Sequence, residues 1–368
     1  AVLDRILIPS TRWFLRRRIN LVLDEIGTRL DIEIRPFQLT KRQVLIDRLV
    51  YDPKVVEEIQ NHARENDMPL EVVQKKVVNY AREIVPSFNA YLYFRIGYWI
   101  AKKIARLLYR VRVGLIEDEQ YLSIDPDSTV VFVMNHRSNM DYVLVAFLAA
   151  ERTTLSYAVG EWAKIWPLQM LIRAMGAFFV RRNSGNPLYR RVLERYIHMA
   201  TREGVCQAVF LEGGLSRDGR LQTPKLGLID YMLRRFDSAA DRDVVFIPVG
   251  INYDRPLEDR SLLRTFDPAA EKRGWWFVCR TTFKFIRRSL VLMIFSRWRR
   301  YGYACVNFGA PLSAKAYCLD QGLNFSRLPR AERFPEIEKL CHRLMSAISE
   351  VVPVLPVSLM STIFLGAM

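Results

Sequence analysis

The stretch that decides the fold is VFVMNHRSNMDYVLV, residues 131 to 145. A run of apolar, strand-forming residues ends at a polar segment, and hydrophobic residues resume directly after Asp141. A short apolar run bounded by polar residues is typical of a buried strand, and the resumed run predicts a helix that begins near Met140. The stretch therefore predicts a strand, a loop that carries His136, and a helix with Asp141 in its first turn.

The same alternation continues on the C-terminal side of this stretch. Further short apolar runs are LSYAV, GAFFV, QAVFL and VVFIPVGI, and the helical stretches between them are Leu144–Ala150, Leu188–Arg202 and Leu226–Arg235. Strands that alternate with helices favour a parallel arrangement. We therefore predict an α/β fold with a mainly parallel, mixed sheet that is flanked by helices.

The preceding region has a different pattern. Residues 53 to 85 predict two helices that are broken near Asp67–Pro69, where a turn residue precedes proline. The next predicted helix, Tyr91–Arg112, carries basic residues along one stripe and aromatic residues elsewhere: Arg95, Lys102, Arg106 and Arg110 form the stripe. Such a helix either lies in a membrane interface or is a core helix with a solvated face. We divide the chain into a helical region (1–113), an α/β domain (114–345) and an apolar segment (346–368).

The amino-acid composition and the net charge indicate which kind of binding partner to expect. The chain has 368 residues, half of them hydrophobic, which excludes a disordered protein, and a formal net charge of +16, which favours an acidic partner. Residues 271 to 300 hold nine Lys and Arg residues, one Glu and seven aromatic residues. This composition fits either stacking on single-stranded nucleic acid or docking on anionic lipid headgroups.

The cysteines and the chain ends bear on the cellular environment and on membrane attachment. The five cysteines are far apart, with no CxxC pair or metal-ligand spacing, so we expect reduced thiols, a cytosolic environment and no metal site. The N-terminal residues lack a secretory signal, and the chain lacks an initiator Met, so we expect a piece of a longer protein. The uncharged segment Val351–Met368 is the best candidate for the start of a spanning helix, although Pro353 and Pro356 interrupt it.

The pair His136 and Asp141 is the candidate catalytic pair. A carboxylate in the first helical turn can reach one imidazole nitrogen and orient the ring, which leaves the other nitrogen free to take a proton from a hydroxyl. The spacing recurs in His62 and Asp67, but that copy lies in a polar helical stretch without an adjacent buried strand. We interpret the second copy as a coincidence.

Three further stretches bring polar residues or proline to strands. Arg181 and Arg182 follow GAFFV, and paired arginines suit a phosphate, although strand alternation sends only one of them into a site. In FLEGGLSRDGRL, residues 210 to 221, a strand leads directly into a polar loop with Glu212, Gly213, Ser216 and Arg217. Ligands of α/β sheets bind at such carboxyl ends of strands. In FIPVGINYD, residues 246 to 254, Pro248 predicts an edge strand or a bent strand end.

The ordered set NHRSNMD, GAFFVRR, FLEGGLSRDGRL with TPKLG, and FIPVGINYD resembles the four-block signature of the glycerolipid acyltransferase superfamily. Within that superfamily, the second and third blocks are most similar to those of bacterial glycerol-3-phosphate acyltransferases. Asn139 and Leu215 depart from the family pattern, which often has a His and an Arg at these positions.

The resemblance implies an activity. A fatty acyl group would pass from acyl-CoA or acyl carrier protein to the sn-1 hydroxyl of glycerol-3-phosphate, without a cofactor. His136 would be the general base and Asp141 its orienting partner, and the binding residues would be Arg181, Arg182, Glu212, Gly213, Ser216 and Arg217, with Phe179 and Pro248 as walls.

The same residues leave three other functions open. They are acylation of lysophosphatidate or another lysolipid, hydrolysis of the acyl thioester, and a basic module that binds membranes or nucleic acid without catalysis. Of these partners we expect an anionic membrane surface and no nucleic acid. The expected location is the cytoplasmic face of a membrane, with peripheral or monotopic attachment through the Tyr91–Arg112 helix and residues 271–300.

Overall fold

The computed structural model describes residues 35–90, 92–114, 121, 123–149, 155–159, 172–181, 184–258 and 300–366. The helices in these ranges are α1 (Pro36–Leu39), α2 (Arg42–Val50), α3 (Pro53–Glu65), α4 (Leu70–Ile84), a π-helix (Leu92–Gly97), α5 (Tyr98–Leu108), α6 (Met140–Ala149), α7 (Pro187–Arg202), α8 (Gly227–Leu233), α9 (Ala314–Asp320), α10 (Arg330–Val351) and α11 (Pro356–Gly366). The strands are β1 (Arg110–Gly114), β2 (Thr129–Met134), β3 (Ser156–Val159), β4 (Phe178–Phe179), β5 (Gln207–Phe210), β6 (Val244–Tyr253), β7 (Tyr303–Phe308) and β8 (Leu312–Ser313).

The predicted break between the two N-terminal helices is confirmed. Helix α3 begins after Asp52, whose carboxylate accepts a hydrogen bond from the Lys54 amide at 2.9 Å, and Pro53 occupies its first position. It is followed by Asp67 in a left-handed conformation (φ 49°), and α4 begins directly after Pro69. The buried faces of α3 and α4 pack against each other and against α7.

The strands among the described residues form a single mixed sheet in the order β1-β7-β6-β2-β5-β3-β4, with β8 paired to β6. The pairs β1–β7, β6–β2, β2–β5, β5–β3 and β3–β4 are parallel, whereas β7 and β8 run antiparallel to β6. The prediction of a mainly parallel, mixed sheet with flanking helices is therefore confirmed.

Both faces of the central strands β2, β5 and β6 are buried, which explains why their sequences are nearly continuous apolar runs. Val131 and Val133 of β2 belong to a core that includes side chains of α2, α3, α4, α7, α8 and α10. Met134 belongs to a second core on the other face, which includes side chains of α5 and α6. Because side chains alternate along β2, the strand contributes residues to two separate hydrophobic cores.

The expectation that Pro248 marks an edge strand or a bent strand end was wrong. Pro248 lies in the middle of β6, opposite Val133 of the neighbouring strand β2. Its carbonyl accepts a hydrogen bond from the Gly309 amide at 2.8 Å, in the chain that links β7 to β8. The neighbour of β6 changes from β8 to β7 at this point, so the missing N–H of proline interrupts no ladder on that side.

The predicted helix Tyr91–Arg112 was too long. Helix α5 ends at Leu108, and Arg110 and Arg112 lie in β1, which pairs in parallel with β7. The chain leaves the helix because the Arg110 amide donates to the Gly302 carbonyl at 2.9 Å and the sheet then continues through β1. The division into residues 1–113, 114–345 and 346–368 stays a prediction.

The C-terminal helix α11 contributes no buried residue, and its apolar side chains are largely exposed. Among the described helices, no single one is long and apolar enough to cross a membrane. The pair α10 and α11 meets the length and composition requirement together, with a 90° bend between the two helices.

Candidate active site

The loop between β2 and α6 lies at the carboxyl end of β2 and is held there by β6. The side-chain amide of Asn135 donates to the Ile251 carbonyl at 2.9 Å and accepts from the Ile251 amide at 2.8 Å. Asn135 is fully buried, so this pair of bonds replaces a ladder contact where the strand β2 has ended. The next residue, His136, is thereby fixed at the strand end.

His136 and Asp141 form the predicted contact. The His136 Nδ1 lies 2.8 Å from the Asp141 Oδ2, and both residues are buried, with exposures of 1% and 0%. Asp141 is in the first turn of α6, where the positive end of the helix dipole favours a carboxylate. A carboxylate at this position favours the tautomer with the proton on Nδ1, which leaves Nε2 as the basic nitrogen.

Asp141 is surrounded by donors. Its Oδ2 accepts from the Arg137 amide at 2.7 Å and the Ser138 amide at 3.1 Å, and its Oδ1 accepts from the Tyr253 hydroxyl at 2.6 Å. Hydrogen bonds to the charged form stabilise it. The arrangement therefore suits an ionised carboxylate that orients His136.

The His136 ring is packed between aromatic side chains. It stacks on Phe210 with ring centroids 4.0 Å apart, and Tyr142 meets it edge-on at 5.4 Å. Within the described part of the chain, His136 Nε2 has no hydrogen-bond partner. The ring is therefore held by its faces and by Nδ1, and Nε2 is the atom available for proton transfer.

Glu212 and Ser216 hold the backbone of His136. The Glu212 Oε1 accepts from the His136 amide at 3.0 Å and its Oε2 accepts from the Gln222 amide at 3.1 Å. The Ser216 amide donates to the His136 carbonyl at 2.9 Å. Burial raises the pKa of Glu212, and the two backbone bonds oppose that shift. The structure thus brings Glu212 and Ser216 to the candidate catalytic pair.

The remaining residues of that loop serve its turn or face solvent. Gly213 has a φ of 67°, and a Cβ there would lie 2.7 Å from the Lys225 Cγ, so both backbone and space favour glycine. Arg217 is exposed next to Ser216. The Arg137 guanidinium donates to the Gly219 carbonyl, which ties the loop after β2 to the loop after β5.

Of the two predicted phosphate ligands after β4, the structure describes Arg181. Arg181 Nε and Nη2 donate to the two Glu83 carboxylate oxygens at 2.9 Å and 2.6 Å, and its guanidinium lies over the Tyr189 ring. Arg181 is thus bound to the last turn of α4. Arg182 lies outside the described residues.

The two predicted wall residues lie on strands. Phe179 is fully buried in β4 and belongs to the same core as Met134 and Phe210. Pro248 is buried in β6, which pairs with β2. A role of either residue in substrate binding stays a prediction.

Sequence reasoning missed three residues that position the loop: Asn135, Tyr253 and Glu258. The Glu258 carboxylate accepts from the Ser138 hydroxyl at 2.6 Å and from the Asn139 amide at 3.0 Å. The alternation along FIPVGINYD, which sends Ile251 and Tyr253 to one face, would have been a signal for Tyr253. Glu258 carries no comparable signal, because it follows the strand in a turn. Among the described residues, no three His, Cys, Asp or Glu side chains converge on a site that could hold a metal ion.

Comparison with protein families gives two matches. Residues 115–252 match the family described as Acyltransferase, and residues 289–368 match the Glycerol-3-phosphate acyltransferase C-terminal region.

Comparison with individual proteins agrees with the family matches. The glycerol-3-phosphate acyltransferase of Pseudomonas entomophila (strain L48) is 31% identical over 287 residues, which are 77% of this chain and 33% of that protein. The protein of the same name from Aeromonas hydrophila subsp. hydrophila is 28% identical over 339 residues, 90% of this chain and 40% of that protein.

Among solved structures, the 1-acyl-sn-glycerophosphate (LPA) acyltransferase PlsC from Thermotoga maritima aligns with a TM-score of 0.39 and 17% identity. The alignment covers 71% of this chain and 81% of that one. The present chain spans about a third of the length of the first curated relatives it matches. The family matches and the curated relatives confirm the resemblance to glycerolipid acyltransferases: the chain carries an Acyltransferase domain and is homologous to the glycerol-3-phosphate acyltransferases.

Proposed function

We propose that the chain transfers a fatty acyl group from an acyl thioester to the sn-1 hydroxyl of glycerol-3-phosphate, with His136 as the general base. One observation carries the proposal. Asp141 binds the Nδ1 of His136 at 2.8 Å, and the Nε2 has no partner among the described residues. A histidine oriented in this way at the carboxyl ends of parallel strands suits removal of a proton from a bound hydroxyl.

The chemistry needs no protein nucleophile, because a thioester is already activated. His136 Nε2 takes the hydroxyl proton while the hydroxyl oxygen attacks the thioester carbonyl. The C–O ester bond forms, the C–S bond breaks, and the proton on Nε2 passes to the departing thiolate. Asp141 stabilises the imidazolium that exists between these steps. The products are a lysophospholipid and a free thiol, and no cofactor is required.

The positive charge of the chain and of its exposed arginines supports an acyl acceptor that carries a phosphate. Arg182 and Arg217 are the proposed ligands of the phosphate, since Arg217 is exposed and Arg181 is already bound by Glu83. Gly213 lets the chain turn between Glu212 and Ser216, which hold the His136 backbone. The formal net charge of +16 would attract both glycerol-3-phosphate and an acidic donor, whether acyl-CoA or acyl carrier protein.

The proposed location is the cytoplasmic face of a membrane, with peripheral or monotopic attachment. The outer face of α5 exposes Trp99, Lys103, Ile104 and Leu107, with the Lys103 ammonium 5.8 Å from the Trp99 ring centroid. Aromatic and basic residues side by side suit the headgroup region of an anionic bilayer. Most of the basic and aromatic stretch 271–300 lies outside the described residues and supports attachment by its composition alone.

A panel of acceptors tests the proposal. The 368-residue chain is supplied with an acyl-CoA and, in separate reactions, with glycerol-3-phosphate, lysophosphatidate, another lysolipid or no acceptor, and the acylated product is extracted and measured. We expect a product with glycerol-3-phosphate. A faster reaction with lysophosphatidate would assign the other acceptor, and equal thiol release without any acceptor would assign a hydrolase.

A further inference from the structure

Asp141 uses its two oxygens differently. Its Oδ2 faces the loop before α6 and accepts from His136 Nδ1 and from two backbone amides. The donor that the structure gives to Oδ1 is the hydroxyl of Tyr253, at 2.6 Å and from a residue 112 positions away. Loss of that hydroxyl would leave a fully buried carboxylate oxygen without this donor.

The surroundings of Tyr253 favour its hydroxyl as a hydrogen-bond donor to Asp141. It lies in β6 opposite Ala304 of β7 and is 4% exposed, so its ring is fixed by the sheet. Burial and the adjacent Asp141 carboxylate raise the pKa of Tyr253 well above its ordinary value, which keeps the phenol protonated. A protonated phenol facing an ionised carboxylate forms a short, charge-assisted hydrogen bond.

The hydrogen bond from Tyr253 affects His136 through the negative charge on the Asp141 carboxylate. A donor on Oδ1 withdraws negative charge from the carboxylate, and a less basic carboxylate attracts the His136 imidazolium less strongly. We infer that Tyr253 is a positioning residue that fixes the Asp141 carboxylate through Oδ1 and thereby tunes His136 as a base. Among the described residues, no hydrogen bond or ring contact joins Tyr253 to His136, so Tyr253 acts through Asp141. The inference rests on the proposed role of His136 as general base.

Other titratable and charged groups also face this pair. They lie on the loops after β2, β5 and β6, on α6 and between α5 and β1, and they are Arg137, Glu212, Glu258, Tyr142 and Tyr109. A substitution of Tyr253 by phenylalanine leaves all of them in place and removes one oxygen atom. A change in the His136 pKa in this variant is therefore caused by loss of the Tyr253 hydroxyl.

Tyr109 supplies a matched control. Its ring is buried and lies 5.1 Å from the Tyr253 ring between centroids, and its hydroxyl donates to the Arg255 carbonyl at 2.9 Å. Tyr109→Phe therefore removes a buried hydroxyl from the neighbouring ring without changing a donor to Asp141. Any general effect of losing a phenol oxygen in this core should appear in both variants.

The test is an NMR titration of His136 in the full chain, in the wild type and in the Tyr253→Phe and Tyr109→Phe variants. The chain has four histidines, and the His136→Ala variant assigns the signal. We expect Tyr253→Phe to raise the His136 pKa by about one unit and Tyr109→Phe to leave it in place. An unchanged or lowered pKa in Tyr253→Phe would overturn the inference.

Two further measurements distinguish a wrong inference about Tyr253 from a variant that does not fold and from a wrong proposed function. The acidic limb of kcat/KM against pH should move upward with the His136 pKa in Tyr253→Phe, because the base is then protonated over a wider range. If Tyr253→Phe does not fold, 3-fluorotyrosine at position 253 provides a stronger donor and should move the His136 pKa downward. The titration needs no turnover, so a chain that transfers no acyl group would refute the proposed function while the titration still decides the role of Tyr253.

Discussion

The Glu212 carboxylate accepts the backbone hydrogen bond of His136 at 3.0 Å, so a residue at the end of β5 holds the loop at the end of β2. The two residues are 76 positions apart in sequence. Glu212 therefore acts on the site through backbone position, in addition to any contact with an acceptor. The same carboxylate also accepts from the Gln222 amide, which closes the loop after β5 on itself.

Glu212→Gln should be damaging although it keeps the shape of the side chain. An amide offers one acceptor oxygen, so its NH₂ group must face either the His136 amide or the Gln222 amide, and two donors would then meet in a buried site. We expect the free energy of unfolding to fall by about 1–3 kcal/mol, together with a lower kcat. Urea unfolding and initial rates measure both quantities.

Asp218→Asn is the control for Glu212→Gln, because Asp218 lies in the same loop and is exposed. It should change stability far less. Equal losses from the two substitutions would contradict the role given to the Glu212 carboxylate.

Acceptor binding should depend on Arg182 and Arg217. Replacement of either by alanine removes a charge-assisted contact with phosphate, so we expect the KM for glycerol-3-phosphate to rise about tenfold or more while the KM for the acyl donor changes little. Steady-state kinetics with each substrate varied in turn gives both constants. Equal rises in both KM values would indicate damage to the fold instead.

Arg181→Ala provides the comparison for that experiment. Arg181 is bound by Glu83 across the boundary between β4 and α4, so its loss should lower the thermal unfolding temperature more than it raises the acceptor KM. A rise in acceptor KM as large as that of Arg182→Ala would return Arg181 to the phosphate site.

Acid should destabilise the protein partly through His198. Burial, and then the nearby Arg195, Arg235 and Arg202, lower the pKa of His198 from 6.5 to about 4. Between these values the unfolded state binds a proton that the folded state does not, so stability is lost as the pH falls through this window. His198→Gln should reduce the difference in urea midpoint between about pH 7 and about pH 4.5. The exposed His342→Gln serves as the control, and an equal effect of both variants would contradict the assignment.

Membrane attachment should depend on α5. Trp99 is 58% exposed on this helix, next to Lys103, and Trp99→Ser removes an interfacial aromatic side chain. We expect weaker sedimentation with anionic liposomes, and for the wild type a further decrease at high salt. Leu319→Ser changes an 85% exposed side chain on α9 and should have no effect. A wild-type chain that stays in the supernatant with anionic liposomes at low salt would refute the proposed attachment.

The local part of the site was predictable and the long-range part was not. His136 and Asp141 lie five residues apart, so one loop and one helical turn bring them together, and both follow from periodicity in the sequence. Tyr253 and Glu258 reach the same loop from 112 and 120 residues away, and their partners depend on the register between β2 and β6. No local pattern encodes that register.

In the fold, too, local features could be predicted from the sequence and long-range contacts could not. The alternation of strands and helices predicted the sheet, because both faces of β2, β5 and β6 are buried and their sequences are continuously apolar. Pro248 misled the prediction, since a central strand tolerates proline where its neighbour changes from β8 to β7. Arg181 is fixed by Glu83, a partner 98 residues away that only the packing of α4 beside β4 reveals.

The most direct measurement is the incorporation of labelled glycerol-3-phosphate into a lipid-extractable product by the wild-type chain and by its His136→Ala and His62→Ala variants. The two histidines share the same spacing to an aspartate, but His62 lies in the last turn of α3, a helix that packs against α4 and α7. We expect His136→Ala to lower the rate by about 10²–10⁴ and His62→Ala to retain the wild-type rate. A wild-type rate in His136→Ala, or a comparable loss in His62→Ala, would contradict the assignment of His136 as the general base.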